Sequence, residues 1–418
     1  VVRRILYGLI ASIVSLAGTL IVIEVTLRIL GVGNDPYVRP HPWTGWVLAP
    51  GLRMSIQSED PALGKRIELR TDSLGLRDVE RAVEKPAGLV RVLFLGDSYV
   101  MAHHVPPEST LTRRLERALD GRGGRRVEVW NCGVEGYSTS QELLYLQHVA
   151  ARFHPDLVVL GFFVGNDVVD QVPELATSLR GRPFFRLGER GLTLDRGHVN
   201  FRTRTLDWLR THTRLFDWAN ARRRVMLMSL RHQRAAGDIR GGLPPPLEIY
   251  AEHPDPPWDR AWEITERLIV ATRAEARRQG AGFLLVAFPS GVQEHENARA
   301  TSPGWRDWRS RTGIALDMPE RRLTRLCAEK DIAFLPLLPA FREHEAETGQ
   351  PLHVLWTGHL NSAGHALAAR LVAARIAALL DTLPAPAGVE GRGDADRAIR
   401  SQHRVNPRLA TTESGLVE

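Results

Sequence analysis

Two short stretches carry the residue types needed to activate a nucleophile. In "LFLGDSYV" an apolar run ends at Gly96-Asp97-Ser98, and in "HVLWTGHLNSAGH" (353–365) His359 precedes Asn361, Gly364 and His365. A serine hydroxyl attacks a carbonyl only when a base takes its proton, and histidine is the usual base near neutral pH. Two further stretches offer donors for a developing oxyanion: Gly133 in "NCGVEGYS", through its backbone N–H, and Asn166 in "GNDV", through its amide. The chain has no Gly-x-Ser-x-Gly elbow, no His-Glu-x-x-His helix and no phosphate-binding glycine loop. "EHEN" and "EHEA" lack a supporting ligand set, so neither a metal nor a cofactor is expected. Asp97 and Asp167 suit the tying of turns, His103 and His104 suit an exposed loop, and His365 suits a structural place in a helix.

The elements that must position these residues follow from hydrophobic patterning. Five apolar runs, at 91–98, 126–133, 157–167, 282–290 and 333–339, are near-continuous, as in strands buried on both faces of a parallel sheet. Amphipathic segments alternate with them at 109–120, with Ser109 as N-cap, and at 138–153, 258–280, 318–331 and 361–381. Alternating strands and helices predict a doubly wound α/β domain over 91–382. Ligands in such sheets bind beyond the carboxyl ends of the strands, where Ser98, Gly133 and Asn166 all fall. A long insertion at about 168–257 holds a hairpin pattern, "RPFFRLGERGLTL", an arginine-rich helix and a "GGLPPPLE" loop, and its length suggests a lid or side wall. Residues 34–90 read as short strands and loops packing on the domain, and the sparsely apolar tail 383–418 reads as disordered.

The ordered blocks "GDS", "NCGVEGYST", "LGFFVGND" and "GHLNSAGH" resemble the SGNH/GDSL hydrolase family over about Thr71 to Asp381. The stretch "TDSLGLRD" and the apolar N-terminus are similar to a membrane-tethered bacterial branch of it. The resemblance implies a three-layer α/β/α sandwich on a five-stranded parallel sheet of flavodoxin-like type. It also implies a nucleophile at Ser98, a general base at His359, and an oxyanion hole from the Ser98 N–H, the Gly133 N–H and the Asn166 amide. The chemistry implied is acyl transfer through an acyl-enzyme, without a metal, on an acylated glycan or another small ester. Two alternatives stay open: an O-acyltransferase on a cell-surface polysaccharide, and a catalytically silent glycan-binding member.

The second alternative arises from a departure in the histidine block. The acid expected two or three residues before the histidine is replaced by Thr357 and Trp356, and no Asp or Glu occurs from Thr348 to Leu380. A triad carboxylate selects the imidazole tautomer and stabilises the imidazolium. Thr357 shares a side with His359 in an extended segment, so its hydroxyl is the tentative stand-in, able to accept the ring N–H but carrying no charge. A backbone carbonyl or an acid from the inserted segment is the other expected source. Weakened activity is the expectation.

Bulk properties bound the partners. Ile5 to Ile23 are nineteen positions without a charge, about 28 Å of helix at ~1.5 Å per residue, enough to cross a bilayer core. Arg3 and Arg4 precede them, so residues 1–33 read as a single transmembrane anchor with the domain extracytoplasmic, periplasmic or at the cell surface. A signal peptide cleaved near "SLA" (15–17) is the competing reading, although the apolar character continues past Ala17. The net charge of +7 comes with no recognised basic module, so no nucleic-acid partner is expected. Ten arginines between Arg202 and Arg240 face three acids in that span, a solvated face or a contact for anionic lipid. Cys132 and Cys327 are expected as free thiols. Oligomeric state is not legible.

Overall fold

Side chains on a strand alternate between faces, so a run that is apolar throughout needs cover on both sides. That cover defines the architecture. A computed structural model describes residues 2–32, 37–58, 63–64, 66–176, 181–189, 191–195, 201–219, 222–223, 247–252, 256–295, 299, 313–354 and 357–382. The tail 383–418 and most of the "GGLPPPLE" loop lie outside these residues.

The chain begins with helix α1 (Val2–Ile29) and two antiparallel hairpins, β1 (Val38–His41) with β2 (Gly45–Leu48) and β3 (Arg53–Gln57) with β4 (Arg66–Arg70). The alternating domain follows: β5 (Leu89–Gly96), α2 (Ser98–Met101), α3 (Leu111–Leu119), β6 (Arg126–Gly133), α4 (Thr139–His148), β7 (Leu157–Phe163) and α5 (Asn166–Val169). The insertion contributes the hairpin β8 (Phe184–Gly188) and β9 (Gly191–Asp195), where the sequence pattern placed one, and α6 (Phe201–His212). Then come α7 (Pro256–Arg278), β10 (Gly282–Phe288), α8 (Gly291–Glu294), α9 (Met318–Lys330), β11 (Ala333–Pro336), α10 (Leu338–Thr348) and α11 (Ser362–Thr382).

The central sheet has the order β11-β10-β7-β5-β6 and is parallel throughout. Numbered within the sheet, this is the 2-1-3-4-5 order of the flavodoxin-like fold, with its switch point between β5 and β7. Leu93, Leu95, Trp130, Val158 and Leu160 pack into one helical layer with α4, α7 and α9. Val92, Phe94, Val129, Val159 and Leu284 pack into the other with α3, α10 and α11. The expected three-layer α/β/α sandwich is therefore the observed fold.

Local details differ from expectation. Thr110, not Ser109, caps α3, its side chain accepting the Arg113 N–H, because Ser109 closes a preceding 3-10 turn. Helix α10, within a charged stretch, was not anticipated; it opens on a proline and ends at Gly349 in the left-handed region (φ 66°). Among the described residues, two helices are long and apolar enough to cross a membrane. One is α11, whose Ala368, Val372 and Ile376 are buried in the core; the other is α1, with no buried residue, a candidate membrane span or signal sequence.

Candidate active site

The turn after β5 is seated by three glycines on neighbouring strands. A Cβ at Gly96 would stand 2.3 Å from Val100 Cγ2, one at Gly133 would stand 2.3 Å from the Met101 nitrogen, and one at Gly161 would stand 2.8 Å from Val100 Cγ2. Gly96 and Gly133 are register partners on β5 and β6. The short helix α2 can thus settle onto the end of the sheet, which any larger residue there would prevent. Asp97 caps it by accepting the Tyr99 N–H at 2.8 Å. Asn131 locks the same corner, donating to Val100 O and accepting the Gly133 N–H, both at 3.0 Å. Ser98 is left half-buried at the start of α2.

The histidine segment arrives as a tight loop. Val354 N–H donates to His359 O (2.7 Å), Gly358 N–H to Val354 O (2.8 Å), and Asn361 N–H to Leu352 O (2.9 Å). Asn361 caps α11 by accepting the Gly364 N–H at 2.9 Å. Gly364 is required because a Cβ there would lie 2.3 Å from Leu352 O. The Tyr99 hydroxyl donates to Gly358 O, tying this loop to α2. His359 Nε2 then lies 3.0 Å from Ser98 Oγ, although 261 positions separate them in the chain. With the hydroxyl donating to Nε2, the neutral ring carries its proton on Nδ1.

The other expected residues lie at the same end of the sheet with their polar atoms already engaged. The Gly133 N–H donates to Asn131 Oδ1. The Asn166 amide donates to Asp97 Oδ2 (2.8 Å) and to Tyr137 O (2.9 Å). A substrate oxygen would have to take the place of Asn131 Oδ1 or Asp97 Oδ2 to use these donors. Thr357 does not bring its hydroxyl to the ring: Oγ1 accepts the backbone N–H of His359 at 3.5 Å.

Several groups around His359 were not anticipated in these places. His104 is fully buried rather than exposed. Its ring lies parallel to His359, with centroids 4.6 Å apart and planes 13° apart. Its Nε2 meets Leu360 O at 2.8 Å and His365 Nε2 at 3.3 Å. His103 presents edge-on to His359 at 5.4 Å, and the Tyr99 ring is tilted at 5.9 Å. Burial, helped by the nearby Arg77 and Arg114 charges, pushes His365 down to about 3.

Carboxyls reach the site from outside the histidine segment. Burial pushes Asp97 up to about 6, against the Tyr99 N–H, the Asn166 amide and the charge of His359. Glu135, exposed on the loop after β6, is raised by partial desolvation, and His359 again acts in the opposite sense. Deeper in, burial also raises Asp167 and Glu142. Asp167 still holds its turn, accepting the Phe163 N–H at 2.7 Å.

Two buried polar pairs brace the surroundings. His353 Nδ1 bonds Glu294 Oε2 while its Nε2–H donates to Pro289 O at 3.1 Å, and Glu294 Oε1 accepts the Leu352 N–H at 2.9 Å. Arg182, from the insertion, pairs with Asp170 at 2.9 Å and donates to Gly136 O at 2.8 Å. No chain signal foretold either pair: Glu294 and His353 lie 59 positions apart, and Asp170 and Arg182 follow no regular spacing.

No family model matches the chain, and no curated protein matches it. Solved structures do. The chain is similar to an acetyl xylan esterase, AlAXEase, at 12% identity and TM-score 0.38, over 70% of this chain and 100% of that one. It is similar to a catalytic mutant of the acetylxylan esterase Axe2 from Geobacillus stearothermophilus at 13% identity and TM-score 0.37, over 69% and 94%. A third similarity is to a two-domain esterase, CEX, active on acetylated mannans, at 11% identity and TM-score 0.37, over 72% and 54%. The fold assignment rests on the sheet order and register above.

Proposed function

We propose that the chain is a serine-dependent ester hydrolase of SGNH/GDSL type, tethered by α1 with its domain outside the cytoplasm. Its substrate would be an acylated glycan or another envelope ester. The observation that carries this reading is the 3.0 Å approach of Ser98 Oγ and His359 Nε2 beyond the carboxyl end of β5, beside the switch point.

In this mechanism His359 Nε2 takes the hydroxyl proton as Oγ bonds to the ester carbonyl carbon. The carbonyl π pair moves onto oxygen, held by the Ser98 N–H at the start of α2 and by Gly133 and Asn166 once they exchange partners. Collapse expels the alkoxide, which takes the proton from His359 and leaves Ser98 acylated. Water, activated by the same nitrogen, then releases the acid. No carboxylate of the histidine's own segment supports the imidazolium. Support comes from the Asp97 and Glu135 carboxyls and from the ring face of His104, stacked on His359. Thr357 favours a second reading, a silent glycan-binding protein, since its hydroxyl is turned to the backbone.

A fluorophosphonate probe tests the proposal, with Ser98→Ala as control. Labelling of Ser98 in folded wild type, together with hydrolysis of an aryl acetate, is expected. Absence of both leaves the silent reading. Product analysis with an acetyl ester and an oligosaccharide together separates hydrolysis from acyl transfer.

A further inference from the structure

We propose that the helical pair of the insertion, α6 and the short helix 214–219, is an interfacial element that lies in the headgroup layer of a phospholipid bilayer against the end of α1. The reading rests on α1 being a membrane span. Glu24 and Arg28 form an ion pair one turn apart on α1, at 2.7 Å. Glu24 also accepts the N–H groups of Arg214 (3.0 Å) and Leu215 (2.8 Å), the first of the second helix. Arg28 donates to His212 O at 2.7 Å, at the end of α6. A carboxylate at a helix start and a guanidinium at a helix end are the signs the helix dipoles call for. One ion pair of α1 thus caps both sides of the corner at Thr213.

That junction has a definite depth. The uncharged stretch of α1 stops at Ile23, immediately before Glu24, so the corner falls where the hydrocarbon ends. Among the described residues, the exposed large hydrophobics are confined to α1 and the residues just after it, to Trp43, and to Phe201, Trp208 and Trp218 of this pair. Phe201 and Trp208 are 86% and 55% exposed, and with Thr205 and His212 they share one side of α6 by spacing. Trp208 stacks on His212 at 4.8 Å, and the Arg222 guanidinium stands 5.8 Å over the Trp218 ring. Tryptophan with cationic neighbours is what the boundary between headgroups and acyl chains selects. The pair and the span both expose large apolar side chains and meet at this corner, and a bilayer covers both at once.

Spin labelling of the full chain in nanodiscs of phosphatidylcholine and phosphatidylglycerol tests this. Cys132 and Cys327 are buried, so nitroxides can be placed selectively at Val14→Cys, Thr205→Cys and Asp331→Cys. The label at 14 is expected to meet oxygen and exclude a water-soluble nickel chelate. The label at 205 should lose most of the chelate collisions seen at 331, and Trp208→Ala with Trp218→Ala should restore them without changing 14. If 205 matches 331 while 14 is deep, the docking is wrong and the span stands. If 14 is also aqueous, the span and the docking fall together. A label at 205 shielded from both reagents marks a protein partner and overturns the lipid assignment.

Discussion

His353 and His359 belong to one loop and have opposite surroundings. His353 is buried and bonded to a carboxylate, Glu294, but its other nitrogen is spent on Pro289 O, so neither ring nitrogen is left to meet a nucleophile among the described residues. His359 is half-buried and meets Ser98, yet its own segment provides no acid. The carboxylate that reaches this loop, Glu294 of α8, therefore holds it in place. A buried pair resists motion because separating it leaves a charge without solvent, whereas a base must gain and lose a proton in each turnover. The carboxyls that interact with His359 come instead from Asp97 and Glu135, on the two loops that end β5 and β6.

Substitutions can break this contrast. The largest effect is expected from His359→Gln, which should lower aryl acetate turnover by about three orders of magnitude or more and leave the melting temperature unchanged. Glu294→Gln should do the reverse, costing about 3–5 kcal/mol in urea unfolding with a smaller loss of turnover per folded molecule. The double variant Glu294→Met/His353→Phe should cost less than Glu294→Gln alone. A double variant that is worse than the single would mean that the pair itself matters to the site.

Asp97→Asn sharpens the contrast through pH. Asp97 is held near 6 in the fold, whereas an unfolded Asp titrates near ~3.9. Between these values the native state keeps a proton that the unfolded chain has lost, so this group makes stability fall as pH rises from about 4 to about 6, and the fall ends there. In Asp97→Asn that part of the decline should vanish, while turnover at pH 8 drops. An unaltered pH profile of unfolding would remove Asp97 from the account.

His104→Ala should lower turnover by about tenfold and move the acid limb of its pH profile down by up to about one unit, as expected for losing ~1 kcal/mol of imidazolium support. His104→Phe should retain most of both. Equal losses in the two variants would assign His104 to its hydrogen bonds with Leu360 and His365 and remove the ring face from the account. The smallest change is expected from Thr357→Asp, a severalfold rise in turnover (roughly 1 kcal/mol or less) if the new carboxylate reaches the ring Nδ1. No rise would mean that the backbone contact of residue 357 fixes its direction away from the ring.

Much of this was legible in the chain. The five apolar runs became the five strands because continuous burial leaves few other solutions. Ser98 and His359 were singled out by their places after the first and fifth strands, and the structure brings their side chains together; a hairpin forms within the stretch "RPFFRLGERGLTL". What stayed hidden is non-local. Glu294 and His353 lie 59 positions apart. His104 looks like a loop residue until α11 covers it. Helix α10 carried its signals, a proline at the start and Gly349 at the end, but charge masked its short apolar face.

The seat of Val100 has one more consequence. Its side chain is received by glycines of β5, β6 and β7 together, so a chain with any of these strands slipped by one residue offers Val100 a blocked seat. If Ser98 is the nucleophile proposed above, its reactivity is then a gauge of sheet registration. In a refolding experiment, probe labelling would appear only once all three strands have found their partners, after compaction and secondary structure are already in place.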